Sequence, residues 1–454
     1  MNILYPENIK PFSHQKVILE YLSKNNICAN LSECGTGKTF VGVAWLMSLL
    51  ENKLINKALV FCPKSIAGVW KNEIQKMYDY SKIKILHGPK RIAEYSNLSN
   101  GIAITNYEQI INKDFSNAIR SDMPQAIILD ESHKIKNPKA KSAKIILGLG
   151  ENVEYKMIQT ATPKTSSYLE FFNQFKFLDS NIFSINNYYS FRMKYFKQIN
   201  DFLWVPRRNT KIEIQRLTKP YSFHYDLDSV ADAPEIIQSK IEPILDSRVM
   251  KKYNEAIKKL TPEDALSPDA PGLIKLRQIA SGFIYDEEKV ATHIHNCKLD
   301  SMVDIVDSIG PDKKIIIWAH FIEDYSRIEK ELLFKLKWIK EKNILNLYGF
   351  NDKHSKIEEF KSGKYDVMIA NPKSAGYGHT INCKYVIWYG IGISSSDYYQ
   401  ARMRVRRIGV TTSRIMEYVI VSKGTIEKLD YDKVLNKYAD TKKYLDAVCE
   451  HLNK

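Results

Sequence analysis

Short apolar runs bounded by turn residues recur through the first part of the chain: Ile27–Leu31, Ala58–Cys62, Gly101–Thr105, Ala126–Asp130 and Lys156–Thr160. Each gives way to a turn or to a longer stretch of helical period, such as Phe40–Leu50. Runs that are apolar on both faces and alternate with helices predict a parallel sheet covered by helices. The pattern breaks over 179–297. There Asn181–Phe202 is rich in Tyr, Phe and Asn, Ile236–Leu260 has a helical pattern, and Thr261–Gly272 concentrates proline and glycine. The alternation then resumes, with strand candidates Lys314–Ala319, Asp366–Ala370, Tyr385–Tyr389 and Ile415–Val421. The chain therefore reads as α/β, with lobes at 1–178 and 298–454 and a helical protrusion and linker at 179–297.

Length changes this picture little, since 454 residues suit two or three domains. Charge adds more: a formal excess of +15 suits a polyanionic partner, of which nucleic acid is the commonest. No apolar run approaches the ~20 residues of a membrane span, and Met1–Lys10 lacks the apolar core of a signal peptide. No membrane partner is expected. The six cysteines form no C-x-x-C pair, which argues against zinc and fits a reducing, cytoplasmic setting.

The most specific chemistry lies in Ser32-Glu33-Cys34-Gly35-Thr36-Gly37-Lys38-Thr39, placed between a strand and an apolar helix. That is the setting of a phosphate-binding loop. Gly35 and Gly37 let backbone N–H groups turn inward around Thr36 onto phosphate oxygens. Lys38 would reach the β- and γ-phosphates of ATP, the Thr39 hydroxyl would bind Mg²⁺, and the helix N-terminus adds positive potential. A second acidic site should end a later strand, and Ile127-Ile128-Leu129-Asp130-Glu131-Ser132-His133 supplies it. Asp130 would hold Mg²⁺ and Glu131 would polarise the attacking water.

These two boxes, reading GTGKT and DESH, resemble superfamily 2 helicases and translocases, whose loops commonly lack the first glycine, here Ser32. The flanking motifs resemble the Swi/Snf-like branch. DESH continues as Lys134-Ile135-Lys136-Asn137-Pro138. Pro63-Lys64-Ser65 with Trp70 resembles motif Ia, Ile104–Glu108 motif Ib, and Thr160-Ala161-Thr162-Pro163 motif III. Later, Lys314–Phe321 resembles motif IV, Ser374–Gly378 motif V, and Gln400–Gly409 motif VI. Ala161 replaces the usual motif III glycine, and Tyr377 and His379 stand where motif V is commonly apolar.

The resemblance implies two RecA-like lobes with ATP and Mg²⁺ in the cleft between them. It places Gln15 at the adenine, and an amide offers the donor and acceptor that edge needs. It makes Arg404 and Arg407 the arginine fingers. It assigns nucleic-acid contacts to Lys64, Ser65, Thr105, Asn106, His320 and Ser374, whose targets would be phosphates. The implied activity is nucleic-acid-dependent ATP hydrolysis coupled to translocation along double-stranded DNA. The alternative is a strand-separating helicase on branched DNA or RNA. The aromatic residues Tyr188, Tyr189, Phe191, Tyr195 and Phe196 stack on bases or, by the stronger expectation, form core. The compact length suits a monomeric motor of a bacterial cell or phage-infected host, with a partner from repair, recombination or defence.

Overall fold

The computed structural model describes the chain except residues 8, 164–166, 200–203, 231–232, 261–266, 351, 376–379, 407–411, 436–443, 445–446, 449 and 452–454. Two compact units divide it at Asp232 and Ala233.

The first unit carries β1 (Ile27–Asn30), β2 (Lys57–Phe61), β3 (Ile83–Ile85), β4 (Gly101–Thr105), β5 (Ala126–Asp130) and β6 (Tyr155–Gln159). A hairpin of β7 (Phe196–Gln198) and β8 (Trp204–Pro206) follows, then β9 (Ser222–Phe223). Seven of these strands form one parallel sheet in the order β3-β4-β2-β5-β6-β1-β9. Along β5, Ile127 and Leu129 enter one hydrophobic cluster and Ala126 and Ile128 the other. The same alternation splits Leu59 and Phe61 from Ala58 and Val60 on β2. Both faces of the sheet are thus buried, which is why its strands are apolar throughout.

The second unit holds β10 (Glu235–Ile241), the hairpin β11 (Phe283–Tyr285) and β12 (Ala291–His293), then β13 (Ile315–Trp318), β14 (Ile344–Asn346), β15 (Val367–Ala370), β16 (Tyr385–Trp388) and β17 (Arg414–Ile420). Six strands pair in parallel in the order β10-β17-β16-β13-β15-β14. Ile316 and Trp318 face one cluster while Ile315 and Ile317 face the other.

Two corrections concern the middle segment. It is shared between the units, since β9 extends the first sheet and β10 the second. The stretch predicted helical from Ile236 begins as strand β10, paired along its whole length with β17, and the helix is Ser247–Ile257. The aromatic residues divide. Phe191, Tyr195 and Phe196 are core, Tyr188 is half-buried, and Tyr189 is exposed. Among the described residues no helix is long and apolar enough to cross a membrane.

Candidate nucleotide site

Strand register brings the predicted phosphate loop and acidic pair together. Gln159 at the end of β6 stands between Asn30 of β1 and Asp130 of β5. The loop leaving β1 and the acids leaving β5 therefore emerge on the same sheet edge, one strand apart, beyond the carboxyl ends of parallel strands where ligands of such sheets bind. The loop turns at Gly35 (φ 87°) and Gly37 (φ 80°), left-handed values that a side chain resists. The helix Lys38–Glu51 begins directly after Gly37.

Polar contacts fix the loop from several sides. Lys38 Nζ donates to the carbonyls of Ser32 (2.8 Å) and Glu33 (2.9 Å), and the Thr36 hydroxyl donates to Glu33 (2.9 Å). Gln159 Nε2 donates to the Lys38 carbonyl at 2.9 Å. Gln15, buried like His14, is engaged at both ends of its amide, the oxygen with its own helix start and the nitrogen with the loop. Its Oε1 accepts from Phe12 N (2.9 Å) and its Nε2 donates to Thr36 O (3.2 Å). His14 Nε2 also meets Thr36 O at 2.8 Å. In this arrangement Gln15 braces the loop, a different use from reading an adenine edge.

Asp130 and Glu131 are both buried. Asp130 Oδ2 accepts from the indole Nε1 of Trp70 at 2.7 Å, and Oδ1 accepts from Glu131 N at 3.1 Å. Glu131 has φ 58°, a left-handed conformation costing a non-glycine residue about 1–2 kcal/mol. Its Oε2 accepts from the Thr160 hydroxyl at 3.1 Å and lies 3.3 Å from His133 Nδ1. Burial, then the Glu131 charge, push the Asp130 carboxyl up to about 6, against the Trp70 hydrogen bond and the Lys38 charge. Burial also opposes ionisation of Glu131, but His133, the Lys38 charge and Thr160 outweigh it and hold that carboxyl at about 2. The pair is thus asymmetric, with Glu131 favoured as the ionised partner.

A divalent cation fits this donor set. Asp130 presents a fixed carboxylate whose charge burial disfavours, and a hard cation with oxygen ligands relieves that cost. Thr39 lies half-buried in the first helical turn. Beside them, Ser32 Oγ and Gln159 Oε1 are buried with no hydrogen-bond partner among the described residues, leaving polar capacity at the loop.

The remaining expected residues fall into three groups. Lys64 and Ser65 are exposed on the turn after β2, and His320 is exposed after β13 against Gly390 and Gly392. Thr105 and Asn106 are both buried. The Thr105 hydroxyl donates to Leu86 O (3.3 Å), and the Asn106 oxygen caps the N–H groups of Glu108 and Gln109. Ser374 lies in the helical turn Pro372–Ala375. Arg404 is buried in the second unit, whereas Arg407 lies outside the described residues, as do Gly376–His379 of motif V. Sequence reasoning gave Trp70, His133, Thr160 and Gln159 no individual role. The signal for Trp70, His133 and Thr160 was their presence in motif Ia, the acidic box and motif III, while Gln159 stands one residue before motif III.

Comparison with known proteins supplies the family. Residues 14–260 match the SNF2-related domain, and residues 297–409 match the helicase conserved C-terminal domain. Over 185 residues the chain is 29% identical to the mouse (Mus musculus) DNA excision repair protein ERCC-6-like, covering 37% of this chain and 14% of that protein. The chain thus spans about one seventh of the length of this curated relative. It is 23% identical to putative protein p41 of Acyrthosiphon pisum secondary endosymbiont phage 1, over 96% of this chain and 98% of that one. The fold is similar to the Hef helicase domain of Pyrococcus furiosus, with TM-score 0.57, 14% identity, and coverage of 94% and 99%. With the SNF2-related match spanning more than half of its length, the chain belongs to the SNF2-related family of helicase-like ATPases.

Proposed function

We propose that this ATPase couples hydrolysis of Mg²⁺-bound ATP to translocation along double-stranded DNA. The observation that carries the reading is the register that sets a buried, hydrogen-bonded Glu131 one strand away from the phosphate loop. Lys38, Gly35, Thr36 and Gly37 bind the phosphates, and Gln15 and His14 keep the loop in shape. Glu131 accepts a proton from water attacking the γ-phosphate, while Thr160 and His133 orient its carboxylate. Thr39 and Asp130 would hold Mg²⁺, which supplies neutralisation of phosphate charge when bound. Arg404 and Arg407 stabilise charge on the transferred phosphoryl group. The excess of +15 supports a polyanionic track, and the relative named as a DNA excision repair protein supports DNA. Lys64, Ser65 and His320 remain available as phosphate contacts.

The test is steady-state ATP hydrolysis at low salt with no nucleic acid, plain duplex, single-stranded DNA, branched DNA and RNA. Stimulation by plain duplex is the expected result. Stimulation confined to single strands, forks or RNA moves the assignment to a strand-separating helicase.

The Trp70–Asp130 hydrogen bond gives a narrower expectation. Trp70→Phe keeps most of the buried ring volume and removes the donor. Loss of a partner that orients a metal-holding carboxylate raises the Mg²⁺ concentration for half-maximal hydrolysis on the order of tenfold. A Mg²⁺ titration of the variant checks this, and an unchanged midpoint contradicts it.

A further inference from the structure

The hairpin β7–β8 and the helix Thr210–Thr218 carry a concentration of positive charge that the nucleotide site does not use. Arg207 N donates to Tyr195 O at 2.8 Å, and Arg207 Nε donates to Phe196 O at 3.0 Å. Thr210 Oγ1 donates to the same Tyr195 carbonyl. These bonds draw the end of the helix Tyr188–Tyr195, the hairpin base and the start of the helix Thr210–Thr218 together. Lys194, Lys197, Arg207, Arg208 and Lys211 are therefore local neighbours, and all are exposed.

None of the five makes an ion pair among the described residues. Elsewhere on the surface lysines are paired, as Lys335 is with Asp300 and Glu331 and Lys364 with Glu359. Like charges gathered in one place repel, and physiological salt screens that repulsion only over ~8 Å. The helix Thr210–Thr218 leaves its first N–H groups without a side-chain acceptor at the N-cap Asn209 (φ 69°), and Glu213 is the acidic residue of its first turn, set against the five cations. Arg192 contributes differently. Its guanidinium lies over the Trp204 ring at 4.1 Å and Tyr189 at 5.4 Å, fixing the packing of helix on hairpin.

We infer that the base of this hairpin is a docking surface for the sugar-phosphate backbone of duplex DNA, outside the helicase motifs. Its ligand is the phosphate row, and its contacts carry no sequence information. This inference rests on the DNA-translocase reading and adds a second grip to it.

The experiment compares duplex binding across a salt series for the wild type and two triple variants of the full chain. The first is Lys197→Gln/Arg208→Gln/Lys211→Gln, which spares the structural Arg207. The second, Lys251→Gln/Lys252→Gln/Lys258→Gln, removes the same charge from exposed positions at the helix Ser247–Ile257. Each lost phosphate contact lowers the slope of log K against log salt by about 0.9. The hairpin variant is expected to lose about 2–3 from that slope and at least about tenfold in affinity. The control variant should keep the wild-type slope, and both should keep the wild-type melting temperature. Equal slopes for wild type and hairpin variant, or equal losses in both variants, overturn the docking surface while leaving the motor reading intact. A wild type that binds no duplex at low salt overturns the motor reading and the docking surface with it.

Discussion

Replacing Glu131 by Gln is expected to abolish turnover while sparing nucleotide binding. General-base catalysis contributes about 10²–10⁴-fold, so kcat should fall by at least about 10². The structure favours this clean separation of effects. The amide introduced by Glu131→Gln keeps an oxygen able to accept from Thr160, whose hydroxyl sits 3.1 Å from Glu131 Oε2. Glutamine, like glutamate, is unbranched at Cβ, so the substitution adds no strain at φ 58°. The loop residues proposed to bind phosphate are untouched. Steady-state hydrolysis together with equilibrium binding of a labelled nucleotide measures both halves. Wild-type turnover in the variant would remove Glu131 from the proposed role, and lost nucleotide binding would make it structural.

The second large effect is expected at the arginines of the second unit. Four arginines lie between Arg402 and Arg407, and the structure gives two of them a framework role. Arg402 Nη2 lies 2.9 Å from the buried Glu417 carboxylate, and Arg406 Nε donates to Pro234 O at 3.0 Å. Those pairings tie the motif to β17 and to the entry of β10. The motif assigns the phosphate to the other two, Arg404 and Arg407. A supplied arginine is worth roughly 10³–10⁵ in turnover in phosphoryl-transfer enzymes. Arg407→Ala and Arg404→Ala should each lose at least about 10³ in kcat, and Arg407→Ala should do so with the melting temperature retained. Arg402→Ala should do the opposite, since stripping the partner from a buried carboxylate costs about 3–5 kcal/mol of stability. Parallel kinetics and thermal unfolding separate the two classes. A catalytic loss without destabilisation at Arg402 would reverse the assignment.

Legibility in the sequence followed how local each feature is. The phosphate loop and acidic pair are strand–turn–helix signals complete within a few residues, and Gly35, Lys38, Asp130 and Glu131 emerge together on one sheet edge. The long central strands were equally visible, because burial on both faces leaves unbroken apolar runs. Edge strands were not. β3 and β9 are very short, and β10 is half-buried along nearly its whole length, so it offers no clean alternation; its three isoleucines fit a helical pattern as well. Side-chain direction was the other loss. Thr105 and Asn106 sit in the expected motif, yet the sheet turns the Thr105 hydroxyl toward Leu86 and the following turn takes the Asn106 oxygen. Conversely, Trp70 reaches Asp130 across 60 residues of chain, a partnership that spacing alone does not encode.

The central claim is that ATP hydrolysis moves this chain along a duplex. A triplex-displacement assay tests it most directly: a third strand is bound to an otherwise blunt duplex, and its release is followed with ATP, without ATP, and with Glu131→Gln. The account predicts ATP-dependent displacement by the wild type, none by the variant, and a duplex left unseparated. Duplex-stimulated hydrolysis with no displacement of the third strand would contradict it.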